Sequence, residues 1–345
     1  MCFSGIELFA GAGGLALGLE QAGIEHVLCV EQDKHACNTL RTNRPRWNVV
    51  EGDIAGVDFT PYVGVDVVSG GPPCQSFSYA GYKRGFGDPR GTLFAEFARC
   101  VQETQPKMFI FENVKGMYTH DKGRTFTTIK HTFEQLGYQI QDRILRAEYL
   151  GVGQKRHRLI MVGVRGDIAD RVTFTYPVEE DQVTTVGDVL QDVPDSVGMS
   201  YSARRYTVLD LVPPGGCWVD LPENVAKDYM GKSYYSSGGR RGVARRISWD
   251  EPCLTLTTSP SQKISERCHP DDTRPFTVRE YARIQSFPDE WGFTGSVQSQ
   301  YKQIGNAVPV ELARRVGVSV VDALTAANLS PGVVGSDPRG EGGAQ

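Results

Sequence analysis

This sequence lacks the features that would place it in several simple classes of protein. It has no apolar run near the ~18 residues that a membrane-spanning helix needs, and stretches such as residues 159–164 are far shorter. Its first residues, Met-Cys-Phe-Ser-Gly, include no positively charged side chain, so they do not predict a secretory signal peptide. We therefore expect a cytoplasmic protein that does not enter a membrane.

An excess of positive charge and a metal-binding or disulfide-forming cysteine pattern are also missing. The 37 Lys and Arg residues face 41 Asp and Glu residues, for a net charge of −4. This excludes a uniformly basic nucleic-acid coat protein, but it is compatible with a local basic surface. The eight cysteines form no Cys-x-x-Cys pair and are too sparse for a disulfide scaffold. We expect free thiols and no metal site.

The first half of the sequence alternates short apolar runs with amphipathic patterns. In one of these patterns Phe126, Ile129, Phe133 and Leu136 recur at helical spacing, and Gly137 follows as a typical helix terminator. Strands that alternate with helices predict an α/β fold with a mostly parallel sheet. The runs that we interpret as strands are residues 6–9, 27–30, 65–68, 108–111 and 159–164.

A glycine-rich turn follows the first predicted strand, and an acidic residue ends the second. Gly11, Gly13 and Gly14 form the turn, and Glu31 comes 20 residues after Gly11. Glycines let the backbone approach a ligand, and a carboxylate can accept hydrogen bonds from ribose hydroxyls. The pattern leaves three alternatives open: a nicotinamide dinucleotide site, an S-adenosylmethionine site, or a tight turn without a ligand.

A cysteine lies on a stiff loop directly after the third predicted strand. Two glycines and two prolines, at positions 70–73, precede Cys74. The carboxyl ends of strands are where ligands bind in open α/β sheets. A thiol placed there near cationic groups would have a lowered pKa, which suits a nucleophile better than a buried structural cysteine.

At this point the sequence resembles the prokaryotic DNA (cytosine-5) methyltransferases, whose motifs occur here in the family's order. The resemblance covers roughly residues 5–165 and 274–325. The matching segments are residues 7–14 (ELFAGAGG), 71–78 (GPPCQSFS), 90–94 (RGTLF), 111–114 (FENV), 154–158 (QKRHR), 279–285 (REYARIQ) and 303–309 (QIGNAVP).

The resemblance implies a Rossmann-like, doubly wound sheet of the S-adenosylmethionine-dependent methyltransferase fold. It also implies a covalent mechanism and a discontinuous catalytic domain. Cys74 would attack carbon 6 of cytosine, Glu112 would bind N3 and the exocyclic amine, and Arg158 would bind O2. Arg156 would add positive charge and share a face with Arg158 if the segment is a strand. The catalytic domain would comprise residues 1–178 and 273–327, around a loop-rich target-recognition domain at 179–272 and before a disordered tail at 328–345.

The resemblance also implies S-adenosylmethionine as the cofactor. The methionine end would contact the turn after the first strand, the ribose Glu31, and the adenine the segment at Asp53. Gln32 replaces the aromatic residue that would stack on adenine, so stacking is not expected there. The implied cofactor residues are Phe9, Gly11, Ala12, Gly13, Glu31, Gln32, Asp53, Ile54, Pro73, Leu93, Asn306, Ala307 and Val308.

Double-stranded DNA is the implied partner, and two segments carry the charge to bind it. The target base must leave the stack, and the segment after Cys74 suits a loop that closes over DNA. In the insertion, residues 227–249 have a net charge of +5 and interleaved glycines, which suits contacts to phosphate and guanine. The predicted DNA-binding residues are Gln75, Ser78, Lys83, Arg84, Arg90, Arg240, Arg241, Arg245 and Arg246.

Three other functions compete with this interpretation. A methyltransferase of structured RNA would have less need of a basic insertion of ~90 residues. A nicotinamide oxidoreductase would explain Gly11 and Glu31 but not Cys74, Glu112 and Arg158. A catalytically silent DNA-binding module would not need that trio intact. We expect a monomeric, nucleoid-associated methylase of a restriction-modification system, whose restriction endonuclease would be encoded separately.

Overall fold

The chain forms two compact units in a computed structural model that describes residues 2–73, 93–235, 242–262 and 266–327. Unit 1 comprises the described residues of Met1–Leu145, His157–Pro177 and Ala313–Gln345. Unit 2 comprises those of Arg146–Arg156 and Val178–Leu312. The expected disordered tail at 328–345 lies outside the described residues.

The regular elements of the described residues are nine strands and ten α-helices. The strands are β1 (Phe3–Leu8), β2 (Ile24–Glu31), β3 (Val49–Glu51), β4 (Val67–Gly70), β5 (Met108–Val114), β6 (Tyr138–Arg146), β7 (Gln154–Lys155), β8 (His157–Arg165) and β9 (Cys253–Leu254). The helices are α1 (Gly14–Gln21), α2 (Lys34–Asn43), α3 (Leu93–Thr104), α4 (Arg124–Gln135), α5 (Val186–Val189), α6 (Ala203–Leu209), α7 (Glu223–Met230), α8 (Val278–Ile284), α9 (Val297–Asn306) and α10 (Val310–Ala326).

Unit 1 is built on a seven-stranded sheet in the order β3-β2-β1-β4-β5-β8-β6. The first five of these strands are parallel, whereas β8 runs antiparallel to β5. Strands β1, β4 and β5 are buried almost along their whole length, as expected when both faces of a sheet are covered. The prediction of an α/β fold with a mostly parallel sheet is confirmed.

Two features of the sheet were less visible in the sequence. The chain builds outward from β1 to β3 and then returns to place β4 on the other side of β1. This reversal is a topological switch point, where the loops after β1 and β4 diverge and leave a crevice for ligands. Strand β6 was not predicted, because its alternating polar residues give it no apolar run.

Aromatic rings fill the space between the sheet and helices α3 and α4. Phe97 of α3 lies edge-on to Phe109 and Phe111 of β5, with ring centroids 6.1 and 5.4 Å apart. Phe133 of α4 packs against Phe109 at 4.2 Å. These side chains are fully buried, and such aromatic pairs stabilise a core beyond the area they bury. The helix predicted from Phe126 to Leu136 is thereby confirmed as α4, which spans Arg124–Gln135.

Unit 2 combines the short parallel pair β7 and β9 with helices α5 to α9. The longer segment of unit 2 begins at Val178, close to the predicted boundary at 179. It ends at Leu312, whereas the predicted domain ends at 272. The reason is the packing of α8 and α9. The Tyr281 hydroxyl donates to the Thr257 carbonyl at 2.8 Å, and the Tyr301 hydroxyl donates to the Phe276 carbonyl at 2.7 Å.

Helix α10 begins directly after Pro309, as the sequence predicts. Its buried residues include Val316, Val320 and Leu324, which were predicted to share one face. None of the helices within the described ranges is long and apolar enough to cross a membrane.

Candidate active site

The turn after β1 adopts a backbone conformation that glycine favours. Gly11 and Gly13 have φ angles of 54° and 88°, and Phe9 has a φ of 57°. Positive φ costs little for glycine, but it is uncommon for a residue with a side chain, and such outliers concentrate at ligand sites. The turn closes through a hydrogen bond from the Gly13 amide to the Ala10 carbonyl. The predicted glycine turn is therefore present at the switch point of the sheet.

Glu31 joins this turn to the end of β2. One oxygen of its carboxylate accepts the Gly11 amide at 2.7 Å, and the other accepts the amides of Gln32 and Asp33 at 2.9 and 2.7 Å. A carboxylate offers about four acceptor positions. Three amides therefore orient Glu31 and still leave capacity for a ligand hydroxyl.

A short 3₁₀ turn at Ile54–Gly56 follows β3 and carries the predicted adenine-binding residues. Asp53 is exposed and caps the turn, with its carboxylate accepting the Ala55 amide at 3.0 Å. Ile54 is buried, whereas Gln32 is exposed. Pro73 is exposed after β4, and Leu93 is half-buried at the start of α3.

Glu112 and Arg158 form an ion pair at the carboxyl end of β5. The Arg158 Nε atom lies 2.8 Å from a Glu112 carboxylate oxygen, and both side chains are 11% exposed. The antiparallel register of β5 and β8 places Val114 opposite Arg158, which brings the two charges together. Glu112 and Arg158, the two residues predicted to bind the cytosine ring, therefore meet although 46 residues separate them in the sequence.

The same end of β5 supports the turn that leads toward Cys74. A Cβ atom at Gly71 would lie 2.5 Å from a Glu112 carboxylate oxygen, so only glycine fits there without a shift. The side-chain amide of Asn113 donates to the Pro72 carbonyl at 2.9 Å. Cys74 itself, with Gln75, Ser78, Lys83, Arg84 and Arg90, lies outside the described residues.

Sequence reasoning missed a second carboxyl on the same face of the sheet. Glu7 on β1 is buried opposite Ser69 of β4, whose hydroxyl donates to it. Burial raises the pKa of Glu7 to about 8; the Ser69 hydrogen bond opposes this rise, and the negative charge of Glu112 adds to it. The signal in the sequence was an acidic residue inside the apolar run of residues 6–9.

Comparisons with known proteins agree with this geometry. Residues 3–322 match the family of C-5 cytosine-specific DNA methylases. The chain is 57% identical over 332 residues to the Type II methyltransferase M.Eco47II of Escherichia coli, covering 94% of this chain and 80% of that one. It is 54% identical over 328 residues to M.Sau96I of Staphylococcus aureus, covering 93% and 76%.

The chain belongs to the C-5 cytosine-specific DNA methylases. It is therefore an enzyme of this kind, and the oxidoreductase and silent-module alternatives are wrong. Structural similarity adds support for the fold alone. A DNA modification methyltransferase from an Escherichia coli prophage superposes with a TM-score of 0.68 at 24% identity, over 94% of this chain and 99% of that one. DNMT2 of Spodoptera frugiperda gives 0.67 at 15% identity, over 92% and 99%.

The strand expected through Arg156 and Arg158 of the methylase is interrupted at Arg156, so the condition under which they would share a face is not met. Its guanidinium is buried in unit 2, where it donates to the carbonyls of Leu256 at 3.2 Å and Gly305 at 2.9 Å. These contacts give Arg156 a structural role, and its contribution of positive charge to the site stays a prediction. Arg156 ties the segment before β8 to two other segments of unit 2.

Arg246 of the methylase is a buried structural cation, which disfavours the predicted contact with DNA. It is 4% exposed. Its guanidinium donates to the carbonyls of Val212 at 2.7 Å, Leu209 at 2.8 Å and His269 at 3.1 Å, and to the Thr273 hydroxyl at 2.7 Å. A cation with this many partners holds the surrounding loops together.

The positive charge counted along residues 227–249 is partly neutralised by acids outside that window. Arg245 pairs with Glu251 and also donates to a main-chain carbonyl. Lys227 pairs with Glu223 at 2.5 Å. The prediction that Arg245 is available to DNA therefore conflicts with its ion pair, while Arg240 and Arg241 lie outside the described residues.

The last three predicted cofactor residues belong to unit 2. Asn306 is exposed at the end of α9, and Ala307 and Val308 are each 8% exposed. The side-chain amide of Gln285 donates to the Ala307 carbonyl at 3.1 Å and to the Ile304 carbonyl at 2.7 Å. This segment is held by the buried Gln285 side chain within unit 2.

No group of three or more His, Cys, Asp or Glu residues in the described part of the chain could hold a metal ion. The described cysteines, Cys2, Cys29, Cys37, Cys100, Cys217, Cys253 and Cys268, are all free.

Proposed function

We propose that this methylase transfers a methyl group from S-adenosylmethionine to carbon 5 of a cytosine in double-stranded DNA, within a restriction-modification system. The observation that carries the proposal is the Glu112–Arg158 ion pair, 2.8 Å long, against the Gly71 turn that leads to Cys74. The Type II names of the relatives support the biological setting.

The chemistry must overcome the low reactivity of carbon 5 in an electron-poor ring. We assign Cys74 as the nucleophile, whose thiolate bonds to carbon 6 and moves electron density onto carbon 5. Glu112 would bind the exocyclic amine and hold a proton at N3, and Arg158 would donate to O2. Carbon 5 would then take the methyl group, and loss of its proton to a base would break the bond to sulfur and return the thiolate.

The residues of the β1–β2 region fit S-adenosylmethionine, which supplies an electrophilic methyl group when bound. Glu31 has acceptor capacity for ribose hydroxyls. The first turn of α1 contains no acidic residue that would repel the carboxylate at the methionine end of the cofactor. Gly11 leaves open space where a side chain would stand. Asp53 would accept from the adenine amine beside Ile54. Contributions from Pro73, Leu93, Asn306, Ala307 and Val308 remain predictions.

DNA recognition would follow from base flipping, because carbon 6 is hidden in a stacked duplex. We assign target recognition to residues 179–272, with Arg240, Arg241 and the loop after Cys74 as the predicted contacts. A monomeric enzyme in the cytoplasm, near the nucleoid, with a separately encoded endonuclease completes the proposal.

Incorporation of labelled methyl groups into duplex DNA tests the proposal. We expect Cys74→Ser to abolish incorporation and still bind S-adenosylhomocysteine, because the thiol is needed for transfer and not for cofactor binding. A Cys100→Ser variant, which changes a thiol in the core of unit 1, is the control. Undiminished transfer by Cys74→Ser would refute the role of Cys74.

The substrate is tested in parallel with duplex DNA, single-stranded DNA and folded RNA at equal concentration. We expect methylation of the duplex at one sequence, which bisulfite mapping of a plasmid would identify. Preferential methylation of the RNA would overturn the assignment.

A further inference from the structure

Arg99 on α3 holds the turn that carries Asp53 and Ile54. Its Nη2 atom donates to the Ile54 carbonyl at 2.9 Å, and its Nη1 atom donates to the Val57 carbonyl at 3.0 Å. Ile54 is the first residue of the 3₁₀ turn at Ile54–Gly56, and Val57 follows its last residue. One guanidinium therefore grips both ends of the turn from a neighbouring helix.

The guanidinium is itself held in place from three sides. Glu96, one turn earlier on α3, pairs with its Nε atom at 2.8 Å, and Glu103, one turn later, pairs with Nη1 at 3.2 Å. The planar group also lies over the buried Phe59 ring, 4.8 Å from its centroid. Arg99 is 28% exposed, so these contacts are partly shielded from water and salt.

This arrangement needs arginine specifically. A guanidinium presents several N–H groups in a fixed plane, so it can bind two carbonyls and two carboxylates while stacking on an aromatic ring. The ammonium of lysine is a point charge that cannot reproduce this geometry. Arg99 also separates two carboxylates of α3, Glu96 and Glu103, which would repel each other without the cation between them.

We propose that Arg99 is a positioning residue for cofactor selectivity, fixing the Asp53–Ile54 turn so that the site recognises an adenine amine. The inference rests on the proposed function, because it takes the turn to be the adenine site. Arg99 does not touch the cofactor in this proposal. It acts by keeping the Asp53 acceptor and the Ile54 side chain in one arrangement before binding, which lowers the ordering cost of binding.

The test compares Arg99→Met with the parent methylase. Methionine keeps an unbranched stem over Phe59 and removes every donor. The Ile54 and Val57 carbonyls lose their charged donor, so we expect about a tenfold or greater rise in the KM for S-adenosylmethionine. The kcat and the KM for DNA should change less than about twofold, because the partners of Arg99 include neither Glu112 nor Arg158.

A second measurement separates positioning from general damage. The affinity for S-adenosylhomocysteine is compared with that for its inosine analogue, which lacks the adenine amine. We expect the parent to prefer the adenine compound and Arg99→Met to lose most of that preference, because Asp53 is no longer fixed. Arg99→Lys should resemble Arg99→Met more closely than the parent.

Arg165→Met is the matched control. Arg165 is 26% exposed, pairs with Asp167 at 2.7 Å and donates to the Gln105 carbonyl. It is therefore a comparable ion-paired arginine, but it ends β8 beside the first residue of β5, at the opposite end of that strand from Glu112. We expect its KM values and its adenine preference to equal those of the parent. If Arg99→Met does not fold, as judged by circular dichroism, Glu103→Gln provides a milder loosening of the guanidinium and a smaller change in the same direction.

The outcomes distinguish the two levels of inference. A parent protein that binds no S-adenosylhomocysteine and transfers no methyl group would overturn the proposed function. A parent that is active, with an Arg99→Met variant that keeps the parent's KM and adenine preference, would overturn the role of Arg99 alone. Equal losses in kcat and in both KM values would also contradict positioning, because they would indicate a general structural defect.

Discussion

Replacing Glu7 by glutamine should raise the free energy of unfolding of the methylase at neutral pH, because burial disfavours the ionised form of Glu7. Glu7 is 1% exposed on β1, and its surroundings are the Ser69 hydroxyl, the Glu112 charge and the buried Cys29 thiol of β2. Burial raises the pKa of Glu7 from its ordinary value of 4.5 to about 8. The folded protein therefore holds a proton that the unfolded chain releases.

The sign of the effect follows from this difference in bound protons. Below pH 4.5 both states are protonated, and Glu7 has no effect on stability. As the pH rises toward 8, the unfolded state gains free energy from ionisation that the folded state does not, so stability falls. At ~1.4 kcal/mol per pH unit, the full loss above pH 8 is about 5 kcal/mol.

The assay is urea unfolding of the parent and Glu7→Gln at pH 5.5 and pH 7.5. Glutamine keeps the shape and cannot ionise, so its advantage in unfolding free energy should grow by about 2.5 kcal/mol between these values. Glu25→Gln, at an exposed glutamate of the neighbouring strand β2, is the control and should show no such growth. A difference between parent and Glu7→Gln that is the same at both pH values would refute the reasoning.

Three further predictions concern the site and unit 2. Gly71→Ala should reduce methyl transfer about tenfold or more with S-adenosylhomocysteine binding unchanged, because its Cβ would displace the Glu112 carboxylate; single-turnover rates and calorimetry measure both. Arg158→Lys should lower the same rate about tenfold, because lysine cannot pair with Glu112 and donate to a base in one plane; an unchanged rate would contradict this. Arg246→Met should destabilise the protein by about 3 kcal/mol in urea, because at least four acceptors lose their donor; a normal midpoint with weakened, less salt-dependent DNA binding would instead restore the predicted DNA contact.

The carboxyl groups of Glu7 and Glu112 lie in different electrostatic environments. Glu112 has Arg158 at 2.8 Å, whereas Glu7 has a hydroxyl and an apolar surround. Burial of Glu7 raises its pKa to about 8, and the negative charge of Glu112 adds to this rise. We expect Glu7 to keep its proton at neutral pH, which avoids a second negative charge close enough to interact with Glu112.

Much of the fold and of the site could be predicted from the sequence because the signals were local. The apolar runs on the parallel strands and the spacing of Phe126, Ile129 and Phe133 follow from backbone periodicity alone. The turn glycines Gly11 and Gly13 are needed where φ is positive, which is a property of single residues. The order of the family's motifs was enough to identify the enzyme class, because it depends on the chain and not on its packing.

Tertiary structure decided the properties that depend on which residues become neighbours. A count of charge along residues 227–249 could not reveal that Arg246 is buried among carbonyls or that Glu223 and Glu251 neutralise two other cations. The extension of unit 2 to Leu312 depends on contacts such as that between Tyr281 and Thr257. Residue type and spacing along a chain determine local conformation, whereas the burial and pairing of a charge depend on distance in space, which only the folded chain establishes.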